Sequence, residues 1–427
     1  MQHREHVEVV VIGAGAAGLT AARLLHDRGV NVTVVEARDR VGGRVFTDRS
    51  WGIPIDIGAS WIHGTMGNPV TDLRDEYRID TVVTDVHSVA MYDAAGVRLT
   101  PVEQSQIEEI ADRAIEEIDR PTPARNPRAS MGPIVGQAIA HANVHGTVRA
   151  GLCFHLWEHF ENEWGASPAQ LSARWYKDTK YEGEQEVFPD GYGQLFERLA
   201  EGLDVRTGHV VRRVDHDSRL VIVSIDGQAP ITADYAIVTL PLGVLKAGSV
   251  TFDPPLPSGK LEAIADLEMG TLSKTWLRFD RVFWPEDVRI IAYLGTDSGR
   301  WSSWYAFQDV AGAPVLLGLN GGDTGKAIEA MEPGAIASEA AAALQRCFPK
   351  QKFQVEGILN SGWTRDDFSR GSYSHVPPTA DITDREALAD PFGRLLFAGE
   401  ATHSTCSQTV HGAVLTGQRE ARRVLST

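Results

Sequence analysis

Short apolar runs and glycine turns alternate at the start of the chain. Val9–Ile12 is an apolar run of the kind found in strands buried within a parallel sheet. A glycine-rich turn and a helix-like stretch follow, and a second apolar run, Val32–Val35, ends at Glu36. This order predicts a strand–helix–strand unit that binds a dinucleotide, with the Glu36 carboxylate accepting hydrogen bonds from ribose hydroxyls.

The three glycines of this turn have the G-x-G-x-x-G spacing. Gly13 allows the tight turn, Gly15 lets the backbone approach a pyrophosphate, and Gly18 lets the helix pack on the strand. The helix that starts here points its positive end at the phosphates. A glycine turn in some other α/β protein is the alternative interpretation, and the acidic residue after the second strand favours dinucleotide binding.

The middle of the chain changes to longer patterns. Helix-rich stretches are predicted at Val102–Ile118 and Met131–Phe160, and strand alternation at Thr275–Phe279. The proline-rich segment Pro121–Pro127 between the two helix-rich stretches is predicted to be a loop. Towards the end, the strand Leu395–Ala398 leads into the last helix, which we expect to begin near residue 409 or 410.

Length, charge and cysteine content narrow the class of protein. A chain of 427 residues predicts two domains rather than one, and three scattered cysteines predict neither a disulfide framework nor a zinc site. The net charge of −16 argues against general nucleic-acid binding and suits a cationic substrate, although solubility alone also explains it. No apolar run reaches 18 residues, so we expect no membrane anchor and a cytoplasmic protein.

Several motifs together resemble one family. They are GGR at Gly42–Arg44, DIGASWIHG at Asp56–Gly64, and LLFAGEATHSTCSQTVHGAVLTGQREARRVL at Leu395–Leu425. The middle adds FPDGYGQLFERLAEGLDVRTGHVVRRV, VTLPLGVLK and GTLSKTWLRFDRVFWPED. This ordered set resembles the flavin-containing amine oxidases, which include monoamine oxidases, polyamine oxidases and the lysine-specific histone demethylase, and it is most similar to spermine and acetylpolyamine oxidases.

The resemblance implies an α/β protein with two discontinuous domains. A Rossmann-like FAD domain is expected at residues 1–75, 190–268 and 388–427. A substrate-binding domain of α+β type, with a mixed sheet and helices, is expected at residues 76–189 and 269–387.

The resemblance also implies how FAD is held. Ser372 stands where monoamine oxidases carry the cysteine bonded to the flavin, so we expect FAD to be bound non-covalently. Arg44 would offset pyrophosphate charge, and the backbone of Val211 would meet the adenine. Glu400 would lie near the ribityl and phosphate groups, and Trp363 near the flavin. The cofactor-binding residues expected are Gly13, Gly15, Ala16, Gly18, Glu36, Ala37, Gly43, Arg44, Gly58, Ala59, Ser60, Trp61, Val211, Trp363, Gly399, Glu400, Thr409 and Val410.

Three residues match catalytic positions of the family. Lys274 matches the lysine that holds a water beside the flavin, whereas strand periodicity alone would make it a solvated side chain. Tyr373 matches one wall of an aromatic cage for the amine, the alternative being a core tyrosine. His63 matches the active-site histidine of the animal oxidases, the alternative being a polar surface residue.

Acidic residues provide candidate partners for an ammonium group. Glu158, Glu161 and Glu163 cluster in LWEHFENEW, and an α-helix would place Glu158 and Glu161 on one face. A solvated acidic face is the equally good alternative. The substrate-binding residues expected are His63, Glu158, Glu161, Glu163, Tyr373 and Thr409. Thr409 stands where monoamine oxidases have the second aromatic residue of the cage.

The oxidant expected is oxygen. No second strand–glycine–helix fingerprint for a nicotinamide nucleotide stands out, and no metal-ligand spacing does either. We therefore expect an oxidase of primary or secondary amines, above all polyamines, that uses oxygen and yields an aldehyde, a smaller amine and hydrogen peroxide. A monoamine, diamine or L-amino acid oxidase is the alternative, and a desaturase or isomerase is a weaker one.

Overall fold

The computed structural model describes residues 5–85, 87–120, 126, 128–176, 181–295 and 299–427. Except for Asn126, the predicted loop Pro121–Pro127 lies outside these residues.

The described residues form strands and helices in the following order along the chain. The strands are β1 Glu5–Ile12, β2 Val32–Val35, β3 Thr47–Asp48, β4 Ile55–Asp56, β5 Trp61–His63, β6 Val82–Val83, β7 Val89–Asp93, β8 Gln185–Val187, β9 Asp204–Arg206, β10 Val211–His216, β11 Val221–Ile225, β12 Ile231–Val238, β13 Thr251–Asp253, β14 Glu268–Gly270, β15 Leu272–Phe279, β16 Ile290–Leu294, β17 Ser303–Ala306, β18 Val315–Gly321, β19 Val355–Asn360, β20 Tyr373–His375 and β21 Leu395–Phe397. The helices are α1 Ala16–His26, α2 Pro69–Tyr77, α3 Pro101–Asp119, α4 Gly132–Ala142, α5 Gly146–Trp157, α6 Gly193–Ala200, α7 Leu242–Lys246, α8 Ser258–Asp266, α9 Gln308–Ala311, α10 Gly322–Glu329, α11 Pro333–Cys347, α12 Ile382–Ala389 and α13 Val410–Leu425.

The chain forms two compact units. The first unit comprises Met1–Val83, Lys177–Met269 and Asp366–Thr427, and the second comprises Thr84–Tyr176 and Gly270–Arg365. The second segment of the first unit begins before β8 rather than at residue 190, because β8 pairs with β5 and β6 in one small sheet, and the third segment begins at Asp366 rather than at residue 388. The assignment of the units to cofactor and substrate stays a prediction.

The first unit is built on a sheet whose centre is parallel. The strand order is β13-β10-β11-β12-β1-β2-β9, and β21 also pairs with β12. The pairs β1–β2, β1–β12, β2–β9 and β12–β21 are parallel. Val9, Val10 and Val11 in β1 are fully buried, which explains why this strand is a continuous apolar run rather than an alternating one.

Helices cover this sheet through one apolar core. Leu19 and Leu25 of α1 and Val414 of α13 belong to the same buried cluster. A Cβ atom at Gly417 would lie 2.2 Å from the carbonyl oxygen of Ala17, so a glycine is required for α13 to approach α1 this closely.

Residues at the carboxyl ends of the parallel strands share one edge of the sheet. Gly13 follows β1, Glu36 follows β2, Thr239 follows β12, and Gly399 lies just beyond β21. Ligands of open α/β sheets bind at this edge. The topology therefore gathers residues that are far apart in sequence at the place where a nucleotide is expected.

The second unit combines a sheet with two helical layers. The sheet order is β19-β15-β18-β17-β16-β7, antiparallel except for the pair β16–β7. Leu344 of α11 packs in the core beside Leu277 and Trp304 of the sheet. Helices α3, α4 and α5 form a separate apolar cluster.

The predicted helix-rich stretch Met131–Phe160 is divided. Helix α4 ends at a left-handed Asn143, and Gly146 at the start of α5 is also left-handed, so the chain turns between the two helices. Helix α5 then continues into a π-helical turn, Glu158–Asn162. Within the described residues, no helix is both long and apolar enough to span a membrane.

Candidate functional site

In the glycine turn after β1, Gly13 and Gly18 are in close contact with neighbouring atoms, whereas the space beside Gly15 is open. A Cβ atom at Gly18 would lie 1.9 Å from the carbonyl oxygen of Gly13, and one at Gly13 would lie 2.5 Å from Thr239 Oγ. At Gly15 the nearest atom would be Gly43 Cα, 4.0 Å away. Internal packing therefore requires the first and third glycines, whereas a bound group would require the second, as expected for a pyrophosphate.

Glu36 is oriented by the backbone around it. Its Oε2 accepts a hydrogen bond of 2.8 Å from Ala14 N, and its Oε1 accepts one of 2.9 Å from Arg38 N. A carboxylate has about four acceptor sites, so both oxygens can still accept from ribose hydroxyls. His209 N donates to Glu36 O at 2.8 Å, which brings the loop before Val211 to this end of the site.

The GGR motif is hydrogen-bonded both to the glycine turn and to the GAS motif, residues 58–60 of DIGASWIHG. Gly42 N donates to Ala14 O at 2.8 Å, and Ala59 N donates to Arg44 O at 3.2 Å. A Cβ atom at Gly58 would lie 1.8 Å from Arg44 O, so the two segments lie directly against each other. The structure thus brings together predicted residues from three separate motifs.

Glu400 is a buried carboxylate with several donors. It is 4% exposed, and Arg44 Nη1 lies 2.9 Å from its Oε1. Its Oε2 accepts from Ser374 Oγ at 2.7 Å and from Gln408 N at 3.0 Å. Burial acts to raise the pKa of Glu400, but the positive charges of Arg44 and Arg385 outweigh it and lower the pKa below its ordinary value.

A cavity lies beyond the carboxyl ends of β12 and β21. Thr239, Leu242, Gly399, Glu400 and Arg44 line it. Gly399 has φ +127°, a conformation that side chains other than glycine rarely adopt, and no atom lies within 4 Å of the position a Cβ atom would take. The backbone here is therefore both constrained and accessible to a ligand.

Helix α13 begins where the sequence predicted. Thr409 is its N-cap residue, and its hydroxyl accepts from Gly412 N at 3.0 Å and donates to Cys406 O at 2.8 Å. Both interactions fix the first turn, which begins at Val410. A contact of Thr409 with substrate stays a prediction.

His63 and Tyr373 belong to the first unit. His63 ends β5 and is exposed, and its Nδ1 lies 2.8 Å from Gln185 Oε1. Tyr373 begins β20 and is half-buried. Their catalytic roles stay predictions.

Lys274 is buried rather than solvated. It is 5% exposed in the middle of β15, and its backbone exchanges two 2.9 Å hydrogen bonds with Ser361. Strand periodicity alone therefore misleads here, because residues 273–277 are all buried and both faces of β15 are covered at this point. Trp363, two residues after Ser361, is 7% exposed, so the second unit brings its segment close to the backbone of Lys274.

The three glutamates do not share one acidic face. Glu158 Oε1 accepts from Asn162 Nδ2 at 2.8 Å and its Oε2 accepts from Tyr305 OH at 3.3 Å, whereas Glu161 Oε2 accepts from Trp157 Nε1 at 3.0 Å. Glu163 is exposed.

The π-helical turn explains this outcome, because its wider hydrogen-bonding pattern changes the direction of successive side chains. Burial raises the pKa of Glu158 and of Glu161 to about 7.

Two residues around Glu400 were not identified from the sequence. Arg385 is 1% exposed and donates to Ser374 Oγ at 2.8 Å, and Ser374 in turn donates to Glu400. Ser374 directly follows Tyr373, but nothing in the sequence marks its hydroxyl, and Arg385 lies outside the motifs, so only the fold reveals that they support the site.

The sequence model of the family described as flavin containing amine oxidoreductase matches residues 16–425. Polyamine oxidase 2 of Arabidopsis thaliana is 34% identical over 96% of this chain and 86% of its own length. Lysine-specific histone demethylase 1 homolog 3 of Oryza sativa subsp. japonica is 32% identical over 98% of this chain and 54% of its own length. These matches confirm the family resemblance.

A solved structure of putrescine oxidase, the wild type bound to putrescine, has the same fold. It covers 99% of this chain and 99% of its own, with a TM-score of 0.80 and 22% sequence identity. At that identity the likeness shows the fold alone, and it confirms the predicted α/β class.

A flavin family implies FAD, and the first unit fits that group. The open side of Gly15 suits a pyrophosphate, Glu36 has free acceptor capacity for a ribose, and Gly399 exposes backbone at the cavity. Arg44 is already paired with Glu400, so its charge is partly neutralised before any phosphate binds. Among the residues that the structure describes, no cluster of side chains could hold a metal ion.

Replacing Gly15 by alanine tests this fit. We expect Gly15→Ala to keep the fold, because the nearest atom to the new Cβ is 4.0 Å away, and to weaken FAD binding tenfold or more by blocking the pyrophosphate. Gly18→Ala should instead destabilise the apoprotein, because its Cβ would meet backbone at 1.9 Å.

Thermal unfolding of the apoprotein and titration with FAD, followed by flavin fluorescence, separate the two effects. Gly259→Ala on α8 is the matched control, since no atom lies within 4 Å of its Cβ. Wild-type FAD affinity in Gly15→Ala would contradict the assignment of the pyrophosphate site.

Proposed function

The chain belongs to the flavin-containing amine oxidoreductase family, with FAD as its cofactor, and on that premise we propose that it oxidises polyamines at a carbon–nitrogen bond. The overall reaction consumes the amine, oxygen and water, and it yields an aldehyde, a smaller amine and hydrogen peroxide. The observation that carries this proposal is the identity of 34% to a plant polyamine oxidase over 96% of the chain.

The flavin supplies the redox chemistry when bound, since it accepts the electron pair released from the carbon–hydrogen bond and passes it to oxygen. The protein has to orient a neutral amine, keep bulk water away and handle protons. We propose that Tyr373 and His63 contact the reacting amine, with the ring face of Tyr373 favouring the positive charge that develops.

Lys274 is proposed to hold a water and move a proton during the oxygen reaction. Its burial supports this role, because an ammonium group is costly to bury and is retained where it has a use. The hydrogen bonds of its backbone to Ser361 fix the strand at this point.

Glu158 is proposed to pair with a second ammonium group of the substrate. Within the part of the chain that the structure describes, its side-chain hydrogen bonds come from the neutral groups of Asn162 and Tyr305. Burial, together with the carboxyl group of Glu158, raises the pKa of Tyr305 well above its ordinary value, so the phenol stays a donor.

FAD is proposed to be held without a covalent bond. Ser372 precedes Tyr373, and a serine hydroxyl cannot supply the sulfur of a thioether. The carbonyl oxygen of Ser372 accepts from Arg44 Nη1 at 2.9 Å, which fixes this turn to the GGR motif.

A cytoplasmic location also stays a prediction.

A substrate panel with a peroxide assay tests the proposed substrate class. We expect the highest kcat/KM with spermine, spermidine or an acetylated polyamine, and lower values with putrescine, a simple monoamine and an L-amino acid. Preference for putrescine would make the protein a diamine oxidase, and turnover of an amino acid alone would overturn the proposal.

Lys274→Met is expected to slow the reaction with oxygen. Methionine has a similar length and is apolar, so the fold and FAD binding should be retained. Loss of a positioned proton carrier should slow reoxidation by about 10²–10⁴-fold. Stopped-flow mixing of substrate-reduced enzyme with oxygen measures this step alone, and Lys326→Met on α10 serves as control. An unchanged rate would exclude Lys274 from the oxygen reaction.

Glu158→Gln is expected to change how the KM for spermidine depends on pH. The pKa of Glu158 is about 7, so its carboxylate is largely charged at pH 8 and largely protonated at pH 6. At pH 8 the variant should raise KM about tenfold, the size expected for loss of a charge-assisted hydrogen bond, and at pH 6 much less. A monoamine should show no such difference, nor should the variant Glu116→Gln of an exposed glutamate on α3. An equal effect at both pH values would argue against an ammonium contact.

A further inference from the structure

Gln408 has an unusual backbone conformation at the start of the last helix. Its φ is +67°, in the left-handed region that glycine adopts freely and other residues adopt at a cost. The residue immediately precedes Thr409, the N-cap of α13. Its conformation therefore sets the direction in which the chain enters this helix.

The side chain of Gln408 does not explain this conformation. Its Nε2 atom is covered by protein and has no hydrogen-bond partner among the described residues. The stabilising contact comes instead from the backbone, since Gln408 N donates to Glu400 Oε2 at 3.0 Å. A hydrogen bond to a buried carboxylate is stronger than one to a neutral acceptor, and a strained conformation persists where its surroundings stabilise it in this way.

Glu400 is itself held from several directions. Arg44 binds its Oε1, and Ser374 binds the same Oε2 that accepts from Gln408. Glu400 also lines the cavity beyond β12 and β21, together with Gly399. One carboxylate thus joins the GGR motif, the β20 segment and the entrance to α13.

We infer that Glu400 is a positioning residue that acts on FAD binding through Gln408, by holding the turn before α13 in its left-handed conformation before the cofactor arrives. This inference rests on FAD as the cofactor and is independent of which amine is oxidised. Without the Glu400 carboxylate, the turn relaxes in the apoprotein, and FAD binding must restore it. A glycine at 408 removes that cost because it adopts the left-handed region freely.

A double-mutant cycle tests the inference. We expect Glu400→Gln to weaken FAD binding more than tenfold, and Gln408→Gly alone to leave the dissociation constant within about twofold of the wild type while keeping or raising the apoprotein melting temperature. The double variant should regain about tenfold of the affinity lost in Glu400→Gln, the factor that corresponds to the cost of a left-handed residue. The flavin absorption spectrum should return towards that of the wild type in parallel.

Glu420→Gln is the matched control. Glu420 is a fully buried carboxylate on α13 that pairs with Arg419 and Arg423. Its effect should simply add to that of Gln408→Gly. If Glu400→Gln cost the same affinity in the wild-type background and in the Gln408→Gly background, the inference would be overturned. Glu400 would then act by direct contact with the cofactor or by its charge alone.

A second variant keeps the test decisive if Glu400→Gln does not fold. Gln408→Val retains Glu400 but places a β-branched residue at φ +67°, where it is strongly disfavoured. We expect it to bind FAD about tenfold more weakly than Gln408→Gly, and equal affinities of these two variants would contradict the inference. Because FAD binding is measured without turnover, failure here is distinguishable from failure of the proposed polyamine activity.

Discussion

The parallel pairing of β1 with β2 and β12 is the constraint on which the rest of the site depends. These pairs run in register from Val9 to Ile12, so the three strands end at the same edge of the sheet. Gly13, Glu36 and Thr239 directly follow these three strands. The pairing of the strands therefore places the three residues side by side. The pairing of β21 with β12 adds Gly399 and Glu400 to the same edge, although they lie near the other end of the chain.

The second constraint is that the buried negative charge of Glu400 is compensated by the positive charges of Arg44 and Arg385. Glu400 and Arg385 are both almost fully buried, and each would be costly alone. Arg44 and Ser374 donate to Glu400, Arg385 donates to Ser374, and the second oxygen of Glu400 also accepts from the backbone of the turn before α13. The site is therefore held by hydrogen bonds between segments that are distant in sequence, which explains why its residues need not be close along the chain.

Local patterns in the sequence were sufficient to predict the strand–helix–strand segment at the start of the chain. The run Val9–Ile12, the glycine spacing and Glu36 predict β1, α1 and β2 correctly, because all three features lie within one short strand–helix–strand segment. The start of α13 was also predicted correctly, since Thr409 is a good N-cap. Gln408 could not be interpreted in this way, because nothing in the sequence shows that glutamine adopts a conformation that glycine prefers.

Features that depend on distant partners were harder to predict. Lys274 is buried because both faces of β15 are covered over residues 273–277, and periodicity along the strand cannot show what packs on each face. The glutamates of LWEHFENEW point to different partners because a π-helical turn replaces the expected α-helix. One boundary between the units lies before β8 rather than after it because β8 pairs with β5 and β6, a pairing between short strands that carry no strong pattern of their own.

Anaerobic titration of the purified protein with spermidine tests the central claim most directly, because it observes cofactor and substrate in one experiment. The account predicts a yellow protein whose FAD is released intact on denaturation, whose visible absorbance is bleached by spermidine without oxygen, and whose colour returns with hydrogen peroxide when air is admitted. A protein that takes up no FAD, or whose flavin keeps its absorbance with every amine offered, would contradict the account.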